Sequence, residues 1–449
     1  MNSGKRFAVE KHFTVTGNPV LHSKSPLIFN SIFRQLDVNA VYTRLAAYNP
    51  LEALSLFRKL KLTGMNVTAP FKKTIMPFLD SIEDAASAIG GVNTIVREGD
   101  RLRGYNTDHI GVSRSLQNRG IIVAGKKCLV LGAGGAGRAA VYGLSKEKAE
   151  VILVNRTHEK AVRAAGELGC RAEKIEMLET LLRDADLLIS TLSAAIDIIP
   201  GTWLPARLIV FDANYKKSPL SLKAEERGCV VLKGEEWLLN QAIPAYRLFL
   251  HDETYGDIPA GLVESLAGSI LVPGSNERLN NVSLVGFMGS GKSVIGKKLA
   301  QKMGFAYIDT DQRIEEQAGL TVPEIFAEKG EDGFRRREKA ILEELLPHHH
   351  NTVFSCGGGV VLSETNRELL KKHSLVIWLY SSIKATLRRI RKGTRPLLAG
   401  ENPAEKARKM LNSRLFAYAC SADMIVSSEN DADEVVEKID EEIGKTFKN

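Results

Sequence analysis

The chain has 449 residues, room for about three folding units at roughly 150 residues each, which excludes a lone minidomain. With 44% hydrophobic and 25% charged residues, and 38 Gly against 15 Pro, it is neither a disordered nor a fibrous chain. The 61 bases exceed the 53 acids to give +8 at pH 7, but they are spread along the sequence, so small anionic substrates fit the balance as well as nucleic acid does.

In chain order, VEKHFTVTG is strand-like, SPLIFNSIFRQL is helical and VNAVYTRLA is strand-like again. The alternation continues throughout, which predicts an α/β fold class with mostly parallel sheets. Four polar motifs fall where such a fold puts loops at strand ends: GNPVLHSKSP, NVTAPFKK, GGVNTI and GYNTDHIG. The start, MNSGKRFAVEKHF, has no apolar core of signal-peptide length, and no run of about 18 apolar residues occurs. The five cysteines, Cys128, Cys170, Cys229, Cys356 and Cys420, are odd in number and form no CxxC pair. Neither a disulfide framework nor a zinc site is expected, and the chain reads as cytoplasmic.

Next comes CLVLGAGGAGRAA, with Gly132, Gly134, Gly135 and Gly137 between a strand and a helix. The GxGxxG spacing in that context predicts a dinucleotide site. One glycine gives a tight turn, one gives backbone access to a pyrophosphate, and one lets helix and strand pack closely, with the helix dipole facing the phosphates. The following strand, AEVILVNRT, ends about 24 residues past Gly132, where an NAD enzyme usually offers an acid to the ribose. Here Asn155, Arg156 and Thr157 stand. A guanidinium beside hydrogen-bonding side chains suits a 2′-phosphate, so NADP(H) is expected rather than NAD, the alternative being a surface arginine.

A helical stretch from Glu235 to about residue 270 follows, then the polar segment LVPGSNERLNN at 271–281, which reads as a linker. After it, LVGFMGSGKSVIGKKLA carries Gly286, Gly289, Gly291, Lys292 and Ser293 in the P-loop spacing GxxxxGK[ST]. Backbone amides of such a loop cradle the phosphates of ATP, Lys292 reaches the β and γ oxygens, and the Ser293 hydroxyl ligates Mg2+. YIDTD places Asp309 and Asp311 two apart at a strand end. That spacing lets one carboxylate assist magnesium while the other takes an acceptor's proton, unless the pair simply caps a helix. The adjacent His348, His349 and His350 read as a solvated turn at a helix end.

The four early motifs, in order, resemble shikimate dehydrogenase over about residues 10–270. The resemblance implies that Ser23 and Ser25 bind the substrate carboxylate, although the pair also reads as an N-cap before Pro26. It implies that Lys72 and Asp108 are the catalytic pair and that Thr68, Asn93 and Gln241 contact substrate. Ketone reduction needs hydride on carbon and a proton on oxygen, and an ammonium held by a carboxylate can donate that proton. Departures from the family are Phe29 where a His is usual, the segment STLSAA at 190–195, and Trp237 in place of a Met where the nicotinamide packs.

From residue 282 onward, GEDGFRRRE, CGGGVV, GTRPLLAGE and RLFAY behind the P-loop resemble shikimate kinase. The resemblance implies that Asp311, Arg335, Gly357, Gly358, Gly359 and Arg414 bind shikimate, and that Arg395 lies on a lid over ATP. Cys356 before the glycines and Phe416 are departures.

The expected organisation is an α/β substrate domain at 1–112 completed by helices at 235–270, a Rossmann NADP domain at 113–234, the linker, and a P-loop kinase domain with a central parallel sheet at 282–449. The expected function is a bifunctional enzyme that makes shikimate and then phosphorylates it, acting on small molecules with neither nucleic acid nor membrane as partner. Two rivals are a metabolite sensor without turnover and a first half acting on quinate. The sensor is disfavoured because Lys72, Asp108, Lys292, Asp309 and Asp311 are all present.

Overall fold

The computed structural model describes residues 10–215, 217–250, 258, 262, 266, 280–389 and 402–447, with side chains to residue 444. They form two compact units. One holds the described residues of Met1–Pro26, Asp37–Phe71 and Pro273–Asn449, the other those of Leu27–Leu36 and Lys72–Val272.

The first unit is built on a parallel sheet. Its strands run in the order Ala306–Asp309, Thr352–Ser355, Asn281–Val285, Leu375–Tyr380, Met424–Ser427, Ala40–Ala46, Lys11–Gly17 and Gly64–Val67. Strands such as NVSLV and LVIWLY are buried at every position, as parallel strands covered on both faces must be. The sheet joins the two ends of the chain: Met424, Ile425 and Val426 pair with Arg44, Leu45 and Ala46. A cut at residues 271–281 therefore does not coincide with the boundary between the compact units. The reason is physical, because a strand edge carries unpaired N–H and C=O groups and is satisfied by pairing with another edge whatever their distance in sequence.

The second unit carries a six-stranded parallel sheet in the order Val230–Lys233, Ile209–Asp212, Leu187–Ser190, Lys127–Leu131, Glu150–Val154, Arg171–Glu173. The order reverses at Lys127–Leu131, so the first glycine loop leaves the sheet at the switch point where doubly wound folds bind dinucleotides. Beside it, Thr94–Glu98 and Arg101–Tyr105 form an antiparallel hairpin. The helix Gly234–Leu250, expected from Glu235 onward, packs on the helix Asp108–Asn118. Gly111 permits this: a Cβ there would lie 2.7 Å from Trp237 Cδ1 and 2.8 Å from Gln241 Cβ. Among the described residues no helix is long and apolar enough to cross a membrane, and the five cysteines are unbridged.

Candidate active sites

In the second unit, Lys72 lies in the short helix Phe71–Thr74, and Asp108 opens the helix Asp108–Asn118, where the dipole favours a carboxylate. Lys72 Nζ donates to Asp108 Oδ2 at 2.6 Å, the two side chains being 22% and 11% exposed. Asn93 Nδ2 donates to the other carboxylate oxygen at 2.9 Å and also lies within hydrogen-bond reach of Thr107 Oγ1 and Gln241 Oε1. The backbone of Asp108 is held too, its N–H by Asn106 Oδ1 at 3.0 Å and its carbonyl by the Trp237 indole N–H at 2.9 Å. With both oxygens engaged, Asp108 has one available orientation, and it fixes an ammonium whose three protons exceed what one carboxylate contact uses. Trp237 is buried against Phe211, with ring centroids 5.5 Å apart, so it supports the helix that presents Asp108.

The first glycine loop lies next to this pair. A Cβ on Gly135 would be 3.6 Å from Lys72 Cδ. Gly137 is forced by close approach, since a Cβ would overlap the carbonyl oxygen of Gly132. Nothing lies within 4 Å of where a Gly134 Cβ would sit, at the N-terminus of the helix Gly135–Lys146. That is open space for a pyrophosphate facing backbone N–H groups. Asn155 Oδ1 accepts from the Ala133 N–H at 3.1 Å, tying the end of the second strand to the loop. Arg156 is exposed, and Thr157 precedes the helix His158–Leu168 without capping it through its side chain. An exposed guanidinium at this strand end fits a 2′-phosphate.

In the first unit, Ser25 begins the helix Ser25–Gln35 and its N–H meets Ser23 Oγ at 3.3 Å, with the two hydroxyl oxygens 3.2 Å apart. The pair does sit at a helix start, as the capping alternative required. Arg44 reaches the Ser23 carbonyl through Nε at 3.1 Å and Nη2 at 2.7 Å. Thr68 follows the strand Gly64–Val67 and its N–H bonds Thr16 O at 2.8 Å.

The same unit contains the P-loop, between Asn281–Val285 and the helix Lys292–Met303. It borders a cavity of about 400 Å³ lined by Gly289, Gly291, Lys292, Ser293, Asp309 and Asp311 among others. Lys292 Nζ rests on the carbonyls of Gly286 and Phe287 at 2.8 and 3.1 Å. Ser293 Oγ donates to Asp309 Oδ2 at 3.0 Å, giving adjacent hard oxygen ligands of the kind Mg2+ takes. The strand Ala306–Asp309 ends at Asp309, whose Oδ1 caps the helix Thr310–Ala318 by accepting from the N–H of Asp311 and Gln312. Asp311 is therefore in the first helical turn rather than on a strand face with Asp309. Aspartate's preference for the N-cap decides this over the alternation of a strand.

A smaller cavity of about 90 Å³ is lined by Asp311, Arg335, Glu338, Gly357, Gly358, Gly359 and Arg414 together with apolar side chains. A Cβ on Gly357 would be 2.6 Å from Asp311 Oδ1 and 2.8 Å from Glu338 Oε1. Arg335 pairs with Glu338 at 2.8 Å and with Glu331 at 3.0 Å. Arg414 and Tyr418 both reach the Gly358 carbonyl. Burial pushes the Glu338 carboxyl up to about 6, against the opposing pull of Arg335. Arg395 lies outside the described residues.

Three family models match the chain: "Shikimate dehydrogenase substrate binding domain" over residues 15–95, "Shikimate / quinate 5-dehydrogenase" over 116–207, and "Shikimate kinase" over 288–444. The shikimate dehydrogenase (NADP(+)) of Aquifex aeolicus is 38% identical over 264 residues, covering 57% of this chain and 97% of the relative. The chain belongs to the shikimate dehydrogenase family. Behind that portion it carries a shikimate kinase domain. The corresponding enzyme of Pyrococcus furiosus is 37% identical, covering 55% of this chain and 92% of its own length. Among solved structures, the shikimate dehydrogenase of Thermus thermophilus in complex with NADP(H) and shikimate aligns with a TM-score of 0.53 at 30% identity, covering 58% of this chain and all of the other.

Within this dehydrogenase–kinase chain, several site residues have no motif that announces them. Tyr215 carries a phenol pushed up by desolvation and by the Asp108 and Glu235 carboxylates, which puts it in the electrostatic field of the catalytic pair although the residue is 39% exposed. Thr107 closes the ring of hydrogen bonds with Asn93 and Gln241. Glu338 stands three residues after Arg335, and that spacing on a helix was the available signal for their pairing.

Proposed function

We propose that this chain is a bifunctional enzyme whose residues 1–270 reduce 3-dehydroshikimate to shikimate with NADPH, and whose residues 282–449 phosphorylate shikimate with ATP and Mg2+. The observation that carries it is the 2.6 Å contact of Lys72 with Asp108 beside the first glycine loop, in a chain that also has a P-loop next to a pocket lined by two arginines.

Bound NADPH supplies hydride, and Mg-ATP supplies the phosphoryl group. Lys72 donates a proton from Nζ to the carbonyl oxygen as it becomes an alcohol, and Asp108 keeps the ammonium in place and offsets its charge. Asn93 and Gln241 orient the ring through its hydroxyls, with Ser23, Ser25 and Thr68 taking the carboxylate side. Arg156, with Asn155 and Thr157, receives the 2′-phosphate. In the kinase portion Arg335 and Arg414 take the shikimate carboxylate, and Asp311 accepts the proton of the attacking hydroxyl. Lys292 leaves its loop carbonyls for the phosphates, while Ser293 and Asp309 hold the metal. Arg395 is assigned to closure over ATP. Five unbridged cysteines suit a reducing cytoplasm.

A coupled assay tests this. Purified chain given 3-dehydroshikimate, NADPH and Mg-ATP should yield shikimate 3-phosphate, with little turnover when NADH or quinate is substituted. Oxidation of NADPH without phosphorylated product, or equal turnover of quinate, would contradict it.

A further inference from the structure

The helix Ala432–Phe447 ends the kinase portion, yet it reaches the loop that carries Ser23 and Ser25, all within one compact unit. Glu442 has a fully buried side chain, and its Oε2 accepts from two consecutive backbone N–H groups, Val20 at 2.7 Å and Leu21 at 2.9 Å. One turn earlier, Lys438 is 2% exposed. Its Nζ lies 3.1 Å from Glu442 Oε1 and 3.0 Å from Asn18 Oδ1, above the Tyr48 ring. Val20 in turn accepts from the Ser23 N–H at 3.0 Å. The Arg44 guanidinium that holds the Ser23 carbonyl also bonds the carbonyl of Asp423, just before the strand Met424–Ser427.

Burying two full charges is costly unless each is paired and its remaining hydrogen-bonding capacity is filled. Here that capacity is filled by the loop itself. A structural clamp between two folds needs no carboxylate aimed at loop amides, since apolar packing would serve. We propose that Glu442 and Lys438 are positioning residues for the dehydrogenase, fixing residues 18–23 so that the Ser23 and Ser25 hydroxyls meet the substrate carboxylate. The last helix of the kinase portion is then part of the support of the dehydrogenase site. This rests on the assignment of Ser23 and Ser25 given above.

The test uses full-length chain with Glu442→Gln, and with the double replacement Lys438→Met/Glu442→Leu, which removes both charges while keeping apolar volume. Ser25→Ala serves as reference. Both position variants should raise KM for 3-dehydroshikimate by about tenfold, the order expected for a lost charge-assisted hydrogen bond. KM for NADPH and the kinase constants for shikimate and ATP should stay within about twofold, a split that a general loss of structure would not produce. If Ser25→Ala raises KM while both position variants match wild type, the inference fails and the site assignment stands. If Ser25→Ala itself changes nothing, the loop is not the carboxylate site and both fall. Loss of both activities together in both position variants would also overturn the inference, because the pair would then serve the fold as a whole.

Discussion

Each half of this chain places a lysine beside a glycine-rich loop, and the two are held by different partners. Lys72 is tied to the carboxylate of Asp108, which is itself bonded at both oxygens. Lys292 rests on two carbonyls of its own loop. A proton donor must be in place before the substrate arrives, and a fixed anion provides that. A lysine that follows phosphate charge must leave its resting contacts, and neutral carbonyls give way more readily than an anion. The same residue type is a positioned acid in one pocket and a movable point charge in the other.

The widest separation of the two roles comes from Lys72→Ala. It should lower dehydrogenase kcat by about a thousandfold, within the range of general acid catalysis, while shikimate still binds and kinase rates hold; single-turnover NADPH oxidation beside a binding titration measures both. Next, Lys292→Ala should lower phosphoryl transfer about a hundredfold or more, as loss of one electrostatic donor does, leaving NADPH-linked reduction unchanged in the same preparation. Joint loss of both activities in either variant would break the comparison. Third, Arg156→Ala should raise KM for NADPH about tenfold and leave the weak NADH reaction unchanged, since only the 2′-phosphate contact is lost.

The smallest effect concerns pH. Glu338 has its carboxyl raised to about 6 chiefly by burial. Between its ordinary value near 4.5 and 6 the folded state keeps a proton that the unfolded chain has released, so stability falls as pH rises through that window. Over the same range the charge that orients Arg335 appears. KM for shikimate in the kinase reaction should therefore fall as pH rises through about 6, and Glu338→Gln should flatten both profiles. Unchanged profiles in that variant would place the ionisation elsewhere.

What the sequence revealed, and what it concealed, follows from distance along the chain. The glycine loops, the Lys292–Ser293 pair and the helix after each loop are contiguous, so spacing alone located them. Lys72 and Asp108 are far apart in sequence, and only the resemblance joined them before the structure did. Asp309 and Asp311 were misjudged as sharing a strand face, because side-chain capping ends the strand between them. Most hidden were contacts between the chain's two ends: the pairing of Met424–Val426 with Arg44–Ala46, and the reach of Glu442 to Val20 and Leu21. A buried Lys and Glu one turn apart look like any solvated helical pair until burial is known.

The central claim is that one cyclic hydroxy-carboxylate fits two pockets in a single chain. Calorimetric titration of the full chain with shikimate, with NADP+ and ADP present, measures this directly. The account predicts two sites per chain, reduced to one by Arg414→Ala; a single site in the unmodified chain, or two that both persist in the variant, would contradict it.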